Sequence, residues 1–389
     1  MLVITRDPAP DVLRGFALWG IVLVNVAYFS SSVDSGVTAD ALVTTGDSVA
    51  AFLVLALAQG KFYLIFSFLF GYSSHYVLGS SSGGRRRWWL RGVGLMVLGL
   101  AHASLLFIGD ILFLYGLLGL LLLGLYAQPR RVLIRWGAWI YGVFTALALA
   151  VVALTALAEA QGLSAAVDSS AARAYEAAVV SDNYLTAIPA RVDFWVSEAI
   201  FVVLFQGALT VVAFLAGVLA SRWGALTSSG LSRNQLQKMM GWGLGLGLGL
   251  QVLFAGVWVV TMTSATPSVA LELGAFFGSW VTAPLLSVGY VGLVLTVVRA
   301  RPAALAWLGA MGRMSLTVYL GQSLLLNVIF GGWGLGLYQQ LPYWLAVLVS
   351  IAVTLVLAAV ANLWLRRFRQ GPMEWLLTAW SRLGGPTGR

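Results

Sequence analysis

Ten long apolar stretches, separated by short polar segments, run along the chain. Most of them approach or exceed the ~18–20 residues that an α-helix needs to cross the hydrocarbon core of a bilayer. They cover residues 11–29, 62–79, 90–108, 110–126, 136–158, 196–220, 241–263, 272–298, 305–330 and 343–365. The pattern predicts an all-α fold: a polytopic integral membrane helix bundle with about ten transmembrane helices.

Basic residues form clusters, and each cluster follows an even number of predicted spans. The positive-inside rule therefore places both termini in the cytoplasm. The clusters are Arg6; Arg85, Arg86, Arg87 and Arg91; Arg130, Arg131 and Arg135; Arg222, Arg233 and Lys238; Arg299 and Arg301; and Arg366, Arg367 and Arg369. The loops assigned to the other side carry Asp34, Asp40, Asp47, Glu159, Asp168, Glu176 and Asp182. This agreement favours ten spans over nine or eleven.

A polar segment at residues 159–195 divides the chain into two halves. Residues 1–158 are predicted to form an N-terminal five-helix half with the candidate site motifs, and 159–195 an extracytoplasmic loop. Residues 196–389 form a C-terminal five-helix half that ends in an interfacial helix marked by Trp375 and Trp380. Residues 48–79 are too long for one span, so we expect a re-entrant or tilted piece, interrupted at Gly60 and Lys61, before the true span.

The composition narrows the class of protein further. Of the 389 residues, 60% are apolar and 10% are charged, far from the composition of a soluble domain. The net charge of +9 is explained by the basic loops, so we expect no nucleic-acid partner. The absence of cysteine excludes disulfides and thiol nucleophiles, and two histidines do not make a usual zinc site, so we expect no metal. The polar residues before the first span indicate that it is not a cleaved signal peptide.

A histidine and a carboxylate lie within this apolar sequence. Burying an ionisable group in hydrocarbon is costly, so such residues indicate a functional site. His102 lies on the outer half of the third predicted helix, and Asp110 begins the fourth, across a tight connection at Gly109. A carboxylate that orients an imidazole can make it a general base. The alternative is a neutral histidine bonded to a carbonyl, with Asp110 capping the fourth helix.

Three cations near or within the predicted spans are candidate ligands for an anionic substrate, because such a cation normally faces a partner or a wet cavity. They are Arg14, Lys61 and Arg313. For Arg14 an equal alternative is a local pair with Asp11, with the guanidinium reaching the lipid headgroups.

Uncharged polar side chains add two further candidate faces. Asn25 follows Arg14 by eleven residues, close to three helical turns, and so shares its face of the first helix. On the ninth helix Tyr319 and Gln322 share a face with Ser315. Hydrogen bonds between helices are the structural alternative for each of these residues.

Six motifs resemble the YeiB-like family of bacterial inner-membrane proteins, whose C-terminal half is catalogued as domain of unknown function 418. They are residues 11–25 (DVLRGFALWGIVLVN), 60–72 (GKFYLIFSFLFGY), 101–112 (AHASLLFIGDIL) with Tyr115, 312–323 (GRMSLTVYLGQS), 334–338 (GLGLY) and 366–376 (RRFRQGPMEWL). The motifs follow the family's order and span nearly the whole chain. The resemblance implies a multi-pass protein of the cell inner (plasma) membrane.

The family is similar, more distantly, to transmembrane acyltransferases, namely the acyltransferase-3 proteins and heparan-glucosaminide N-acetyltransferase. In those relatives an acyl group passes from cytoplasmic acyl-CoA to an acceptor across the bilayer. Acyltransferase-3 proteins resemble this chain at residues 13–17 but carry a histidine where Asn25 stands. This departure means that the base of an acyl transfer here must be another residue, and His102 is the best remaining candidate.

Two functions follow as hypotheses. The first is an O- or N-acyltransferase with acyl-CoA, such as acetyl-CoA, as the acyl donor and a small molecule or glycan as the acceptor. His102 and Asp110 would be catalytic; Arg14, Lys61 and Arg313 would bind the acyl donor; Asn25, Tyr319 and Gln322 would contact substrate or the oxyanion. The alternative is a small-molecule or lipid transporter or exporter without covalent chemistry.

The expected partners include the lipid bilayer and a second copy of the chain. Gly241, Gly245 and Gly249 have the four-residue spacing that lets a neighbouring helix approach closely. A homo-oligomer through the glycine-rich helix 241–263 is therefore expected.

Overall fold

The structure is a computed structural model that describes residues 7–32, 41–79, 83–163 and 170–383. These residues form fifteen α-helices and no strand, which confirms the all-α prediction. The helices are α1 (Ala9–Ser30), α2 (Thr45–Leu57), α3 (Lys61–Leu78), α4 (Gly84–Leu105), α5 (Leu112–Leu125), α6 (Arg130–Ala160), α7 (Ser170–Val179), α8 (Ala187–Arg222), α9 (Arg233–Met240), α10 (Leu248–Met262), α11 (Val269–Ala300), α12 (Ala306–Arg313), α13 (Ser315–Phe330), α14 (Tyr343–Arg367) and α15 (Pro372–Ser381). Arg6, Asp34, Asp40 and Asp168, used above to orient the chain, lie outside the described residues.

Seven helical segments among the described residues are long and apolar enough to cross a membrane. They are Ala9–Ser30, Thr45–Leu78, Arg130–Ala160, Tyr184–Arg222, Arg233–Met262, Val269–Ala300 and Tyr343–Arg367. Two shorter apolar helices, α5 and α13, lie between them, and α4 has 22 residues. The chain is therefore a helical membrane protein.

The long apolar segment Thr45–Leu78 is broken at Gly60, as its length and glycine predict. Gly60 has a φ of +79°, a conformation that glycine adopts without the steric cost that a Cβ would bring. The break leaves carbonyl groups at the end of α2 without helical partners. The Lys61 ammonium, fully buried, donates to one of them, the Leu55 carbonyl, at 2.6 Å.

The predicted single span at residues 305–330 is wrong in detail, because it consists of two helices that meet at Met314. α12 packs tightly on α1: a Cβ added to Gly312 would lie 1.7 Å from the Asp11 carbonyl oxygen. α13 then starts afresh, and Glu374 of α15 accepts from the Leu316 amide at 2.6 Å. Glu374 therefore caps α13 as a helix separate from α12.

The segment 159–195, predicted as a loop, is largely helical where it is described. α6 continues to Ala160, and α8 begins at Ala187. α8 has 36 residues, about 54 Å at the usual rise, and so it extends well beyond a ~30 Å hydrocarbon core. Between them, α7 buries Ala172, Tyr175 and Val179. α7 is amphipathic, and its polar residues led the sequence analysis to assign this segment to a loop.

The tight glycine contact was predicted on the wrong face of its helix. A Cβ added to Gly241, Gly245 or Gly249 would meet nothing within 4 Å. Instead, Gly243 and Gly247 pack against the α11 backbone, with a Cβ at Gly243 only 2.3 Å from the Gly289 Cα. The segment Gly241–Gly247 is π-helical, which shifts the face that meets α11. The open glycine face leaves the homo-oligomer as a prediction.

Contacts between connecting segments define two ends of the bundle. At one end, called the arginine-rich end, Arg222 Nη1 donates to the Gln128 carbonyl at 2.9 Å, and Arg299 Nη2 donates to the Thr227 carbonyl at 2.9 Å.

At the opposite end, the Gln339 amide donates to the Ser30 carbonyl at 3.0 Å, and the Trp344 amide donates to Asp47 at 3.1 Å. The Gly332 amide likewise bonds the Val179 carbonyl at 2.8 Å. These contacts group basic connecting segments at one end, and the segment that holds Asp47 at the other.

Candidate functional site

His102, Asp110 and Ser323 form a buried hydrogen-bonded group. His102 lies in the last turn of α4, Asp110 in the connection to α5, and Ser323 in the middle of α13. The Nδ1 atom of His102 lies 3.3 Å from Asp110 Oδ1, and its Nε2 atom lies 2.9 Å from Ser323 Oγ. The His102 and Asp110 side chains have no exposed surface, and Ser323 is 2% exposed. The proximity predicted across Gly109 is therefore present.

Asp110 also accepts from the first amides of α5, as the capping alternative predicts. Its Oδ2 accepts from the Leu112 amide at 2.9 Å and from the Phe113 amide at 3.2 Å, while Oδ1 accepts from Leu112 at 2.9 Å. These backbone bonds hold the carboxylate in place against the ring of His102. The cap that starts α5 thus also orients the imidazole.

Aromatic rings enclose the histidine. The Tyr319 ring centroid lies 5.0 Å from that of His102, and Phe107 lies at 6.1 Å. Phe29 of α1 stacks on Phe107 at 4.5 Å. The Tyr319 hydroxyl is buried near the Ile111 backbone, and no side chain among the described residues bonds it. A hydroxyl can both donate and accept, so it retains capacity to bond a ligand.

A cavity of about 140 Å³ lies next to this group. Tyr319 lies in the cavity wall, and its ring is also next to the ring of His102. Most of the wall is apolar, and its polar members gather around the starts of α13 and α15. The lining residues are Leu18, Ile21, Phe66, Phe70, Arg91, Leu95, Ile111, Leu112, Tyr115, Ser315, Leu316, Tyr319, Glu374, Leu377 and Thr378.

One arginine lies in the cavity wall, and a second lies near that residue. Arg91 lines it, and both Arg14 and Glu374 are close enough to interact electrostatically with Arg91. Arg14 also pairs with Asp11 at 2.8 Å, as the local alternative predicts. On α4, Arg91 precedes His102 by eleven residues, about 16 Å along the axis. The cavity therefore has a charged end, with Arg91 and Glu374 in its wall, and lies alongside a helix that carries the histidine group at its far end.

The structure does not bring every predicted site residue to this place. Lys61 is at the α2–α3 break, and Arg313 is exposed with a bond to the Arg369 carbonyl at 2.9 Å; neither lines the cavity. Gln322 donates to Thr354 of α14 at 3.0 Å, which is an interhelical packing contact.

Asn25 is half-buried on α1, and its side chain makes no hydrogen bond among the described residues. By helical spacing it shares a face with the cavity-lining Leu18 and Ile21.

A second polar group lies beyond His102, towards the opposite end of the bundle. Asn327 Nδ2 donates to the Leu106 carbonyl at 2.5 Å, while its Oδ1 accepts from Arg191 Nη2 at 3.2 Å and from Trp333 Nε1 at 3.0 Å. Arg191 of α8 is 1% exposed. This group ties α8 and α13 to the segment just after His102.

Sequence reasoning missed Ser323, Arg91, Glu374 and Arg191 as members of these groups. Ser323 closes the quoted motif 312–323 but is 221 positions from His102, a distance that no local pattern bridges. The sequence used Arg91 only as a marker of orientation, although it lies within the predicted span 90–108, unlike Arg85 to Arg87. No group of three or more metal-ligating side chains occurs within the described part of the chain.

Fold and site together define a class, that of helical membrane proteins with a buried Asp-His-Ser group beside an internal cavity. Comparisons with known proteins give the family. Residues 220–383 match the family model described as "Protein of unknown function (DUF418)". The chain is 32% identical to YxaH of Bacillus subtilis over 94% of its own length and 92% of that protein. The chain belongs to the YeiB-like DUF418 family.

Two further relatives extend the match over nearly the full chain. YeiB of Escherichia coli is 29% identical, with 95% of each chain covered. A 39.9 kDa protein encoded in the amylase 3' region of Bacillus acidopullulyticus is 25% identical, with 94% of this chain and 91% of that protein covered. No solved structure matches the chain. None of these names states an activity, so the function has to be argued from the site.

Proposed function

We propose that the protein is a transmembrane acyltransferase of the bacterial inner membrane. It would move an acyl group from cytoplasmic acyl-CoA to an acceptor on the extracytoplasmic side. The observation that carries this proposal is the cavity with arginines at one end and the buried His102 and Asp110 pair beside its other end. Such a layered site suits a substrate with an anionic head and an apolar, reactive tail.

The proposed topology has ten crossings and both termini in the cytoplasm. It takes α2 with α3 as one broken crossing and α12 with α13 as another. The grouping of the connections at two ends supports it: the basic segments meet at one end, and the acidic ones at the other. The arginine-rich end would then face the cytoplasm, where acyl-CoA is found.

The phosphates of the acyl donor would bind at Arg14 and Arg91. A guanidinium forms bidentate hydrogen bonds with phosphate, which suits it to this role. Arg91 takes the place that the sequence assigned to Arg313, because Arg91 lines the cavity. Lys61 stabilises the broken helix in this scheme. The apolar wall would hold the pantetheine arm and direct the thioester towards Tyr319.

His102 would act as the general base, with Asp110 holding its Nδ1 proton and stabilising the imidazolium that forms. The Tyr319 hydroxyl, which bonds no side chain in the described residues, would donate to the oxyanion of the tetrahedral intermediate. Asn25 is a second candidate donor. Metal chemistry has no part in this scheme.

The test uses the purified protein in inside-out vesicles supplied with [14C]acetyl-CoA. Release of CoA thiol and transfer of label to the vesicle contents or membrane are measured for His102→Gln and for His75→Gln. His75 is the only other histidine, and its Nδ1 bonds the Tyr126 hydroxyl at 2.8 Å at the arginine-rich end. We expect His102→Gln to abolish transfer and His75→Gln to retain it. Full turnover by His102→Gln would refute the assignment.

Transport without covalent chemistry is the second candidate. The helix broken at Gly60, with Lys61 buried at the break, is a feature that alternating-access transporters use. The vesicle experiment separates the two functions, because a transporter leaves the thioester intact. Label that accumulates inside the vesicles as unhydrolysed acetyl-CoA, without free CoA, would favour transport.

A further inference from the structure

The hydrogen bond between His102 and Ser323 bears on the chemistry of the proposed transfer. In a direct transfer, the Nε2 atom of His102 must face the acceptor hydroxyl or amine. In the structure the Ser323 hydroxyl occupies that position at 2.9 Å, and Asp110 lies at the other ring nitrogen. A general base must be within hydrogen-bond reach of the proton that it removes. The proton within reach of His102 belongs to Ser323.

We infer that Ser323 is a catalytic nucleophile and that acyl transfer proceeds through an acyl-Ser323 intermediate. This inference rests on the proposed acyltransferase function and specifies its course. Asp110, His102 and Ser323 have the connectivity of a nucleophile, a base and an orienting carboxylate, a grouping that occurs on unrelated folds.

The tautomer of His102 follows from its two partners. An ionised carboxylate only accepts hydrogen bonds, and Asp110 already receives the Leu112 and Phe113 amides. The imidazole therefore carries its proton on Nδ1, towards Asp110. Its Nε2 lone pair is left to accept the Ser323 hydroxyl, as removal of that proton requires.

The Ser323 hydroxyl bonds a side chain of another helix, as buried Ser279 does at 2.8 Å from Gln251, and so differs from most buried helical serines. A serine within a helix commonly donates to the carbonyl four residues earlier. Ser30 and Ser67 do so at 2.9 Å each. For Ser323 the corresponding distance, to the Tyr319 carbonyl, is 3.4 Å, longer than its 2.9 Å bond to His102. The hydroxyl is directed to the imidazole in preference to its own helix.

The reaction then divides into two balanced steps. Ser323 Oγ attacks the thioester carbonyl while His102 Nε2 takes its proton; the carbon–sulfur bond breaks, and the CoA thiolate leaves with that proton. The acceptor hydroxyl or amine next attacks the acyl-serine ester. His102 takes the acceptor's proton and returns it to the departing Ser323 oxygen.

The two steps need not share one open channel. The first would use the cavity on the arginine-rich side of Tyr319, and the second an approach from the opposite side. Ser323 does not line the cavity, whereas Tyr319 lines it and has its ring next to His102. A rotation of Tyr319 would connect the thioester to Ser323. The covalent intermediate holds the acyl group while CoA leaves.

The experiment traps the intermediate on the protein. Full-length protein in nanodiscs is incubated with [14C]acetyl-CoA without acceptor, precipitated with acid, and digested for mass spectrometry. We expect acid-stable label that alkaline hydroxylamine releases, and a mass increase of one acetyl group on Ser323. Ser323→Ala should lose this label and about a thousandfold or more of the transfer rate. Ser350→Ala, at another fully buried helical serine whose hydroxyl donates to its own helix, should keep both.

Ser323→Cys gives a chemical signature that a positioning role cannot produce. Its acyl group would be a thioester, which neutral hydroxylamine cleaves, whereas the serine ester needs alkaline conditions. Wild-type protein that transfers label to an acceptor but never carries it on Ser323 would overturn the inference and leave the proposed function intact. Protein that neither releases CoA nor becomes labelled would overturn both. Label found on another residue in Ser323→Ala would also overturn the nucleophile assignment.

Discussion

Replacing Asp110 by Asn tests the histidine group with little change of shape. Oδ2 of Asp110 accepts from two backbone amides, whereas Oδ1 accepts from one and faces His102. An asparagine keeps the larger number of backbone bonds when its carbonyl oxygen takes the Oδ2 position. Its NH₂ group then faces Nδ1 of His102 and donates to it. The proton of the imidazole is forced to Nε2, the atom that has to accept.

The expected loss is large and confined to the chemical step. In serine hydrolases the same change of tautomer lowers kcat about 10⁴-fold while the geometry is kept. Asparagine caps helices about as well as aspartate, so the start of α5 should hold. We expect Asp110→Asn to lower acetyl transfer from [14C]acetyl-CoA by about three to four orders of magnitude. Its thermal midpoint, followed by size-exclusion chromatography of the solubilised protein, should stay close to wild type.

A matched control is available at Asp47. This carboxylate is also buried and caps a helix, accepting from the Thr44 amide at 2.9 Å and the Trp344 amide at 3.1 Å, but no histidine lies beside it. Asp47→Asn should therefore keep its transfer rate. Asp110→Ala, which removes the cap, should lose stability as well as activity. If Asp110→Asn retained more than about a tenth of wild-type transfer, against the ~10⁴-fold loss expected, Asp110 would be a helix cap and nothing more.

Three further changes test the acyl-donor cavity and the packing. Arg91→Gln should raise the KM for acetyl-CoA about tenfold or more in the vesicle assay, because a hydrogen bond to a charged group contributes about 1.5–3 kcal/mol; an unchanged KM would remove Arg91 from the site. Leu95→Trp should fill part of the 140 Å³ cavity and block CoA release without preventing expression, and normal release would contradict the route proposed for the acyl donor. Gly217→Ala should destabilise the protein by about 1–3 kcal/mol, since its Cβ would lie 2.0 Å from the Phe68 carbonyl oxygen, whereas Gly137→Ala meets nothing within 4 Å and should leave the thermal midpoint unchanged.

The helices were predictable because each span must bury or shield its own backbone, which leaves a long apolar stretch in the sequence. The pairing of His102 with Asp110 was predictable for a related reason: only a short connection separates them. The partner of His102 on its other side was not, because α4 and α13 meet through tertiary packing. The break at Met314 was also hidden, since the cap at Glu374 comes from a helix that follows much later.

The face of α13 illustrates how a local pattern can identify a helix yet miss its register. The sequence pointed to Ser315, Tyr319 and Gln322, but the residues that meet the site recur every four positions. Ser315 and Tyr319 line the cavity, Ser323 bonds His102, and Asn327 bonds the segment beyond it. Gln322 points instead to α14. One face of α13 therefore contributes a residue to each part of the proposed path, from the cavity wall through the histidine group to the Asn327 group at the opposite end. Because α13 begins anew at Met314, its start depends on the cap from Glu374 of α15. α13 therefore holds both the proposed acyl-donor end and the histidine group.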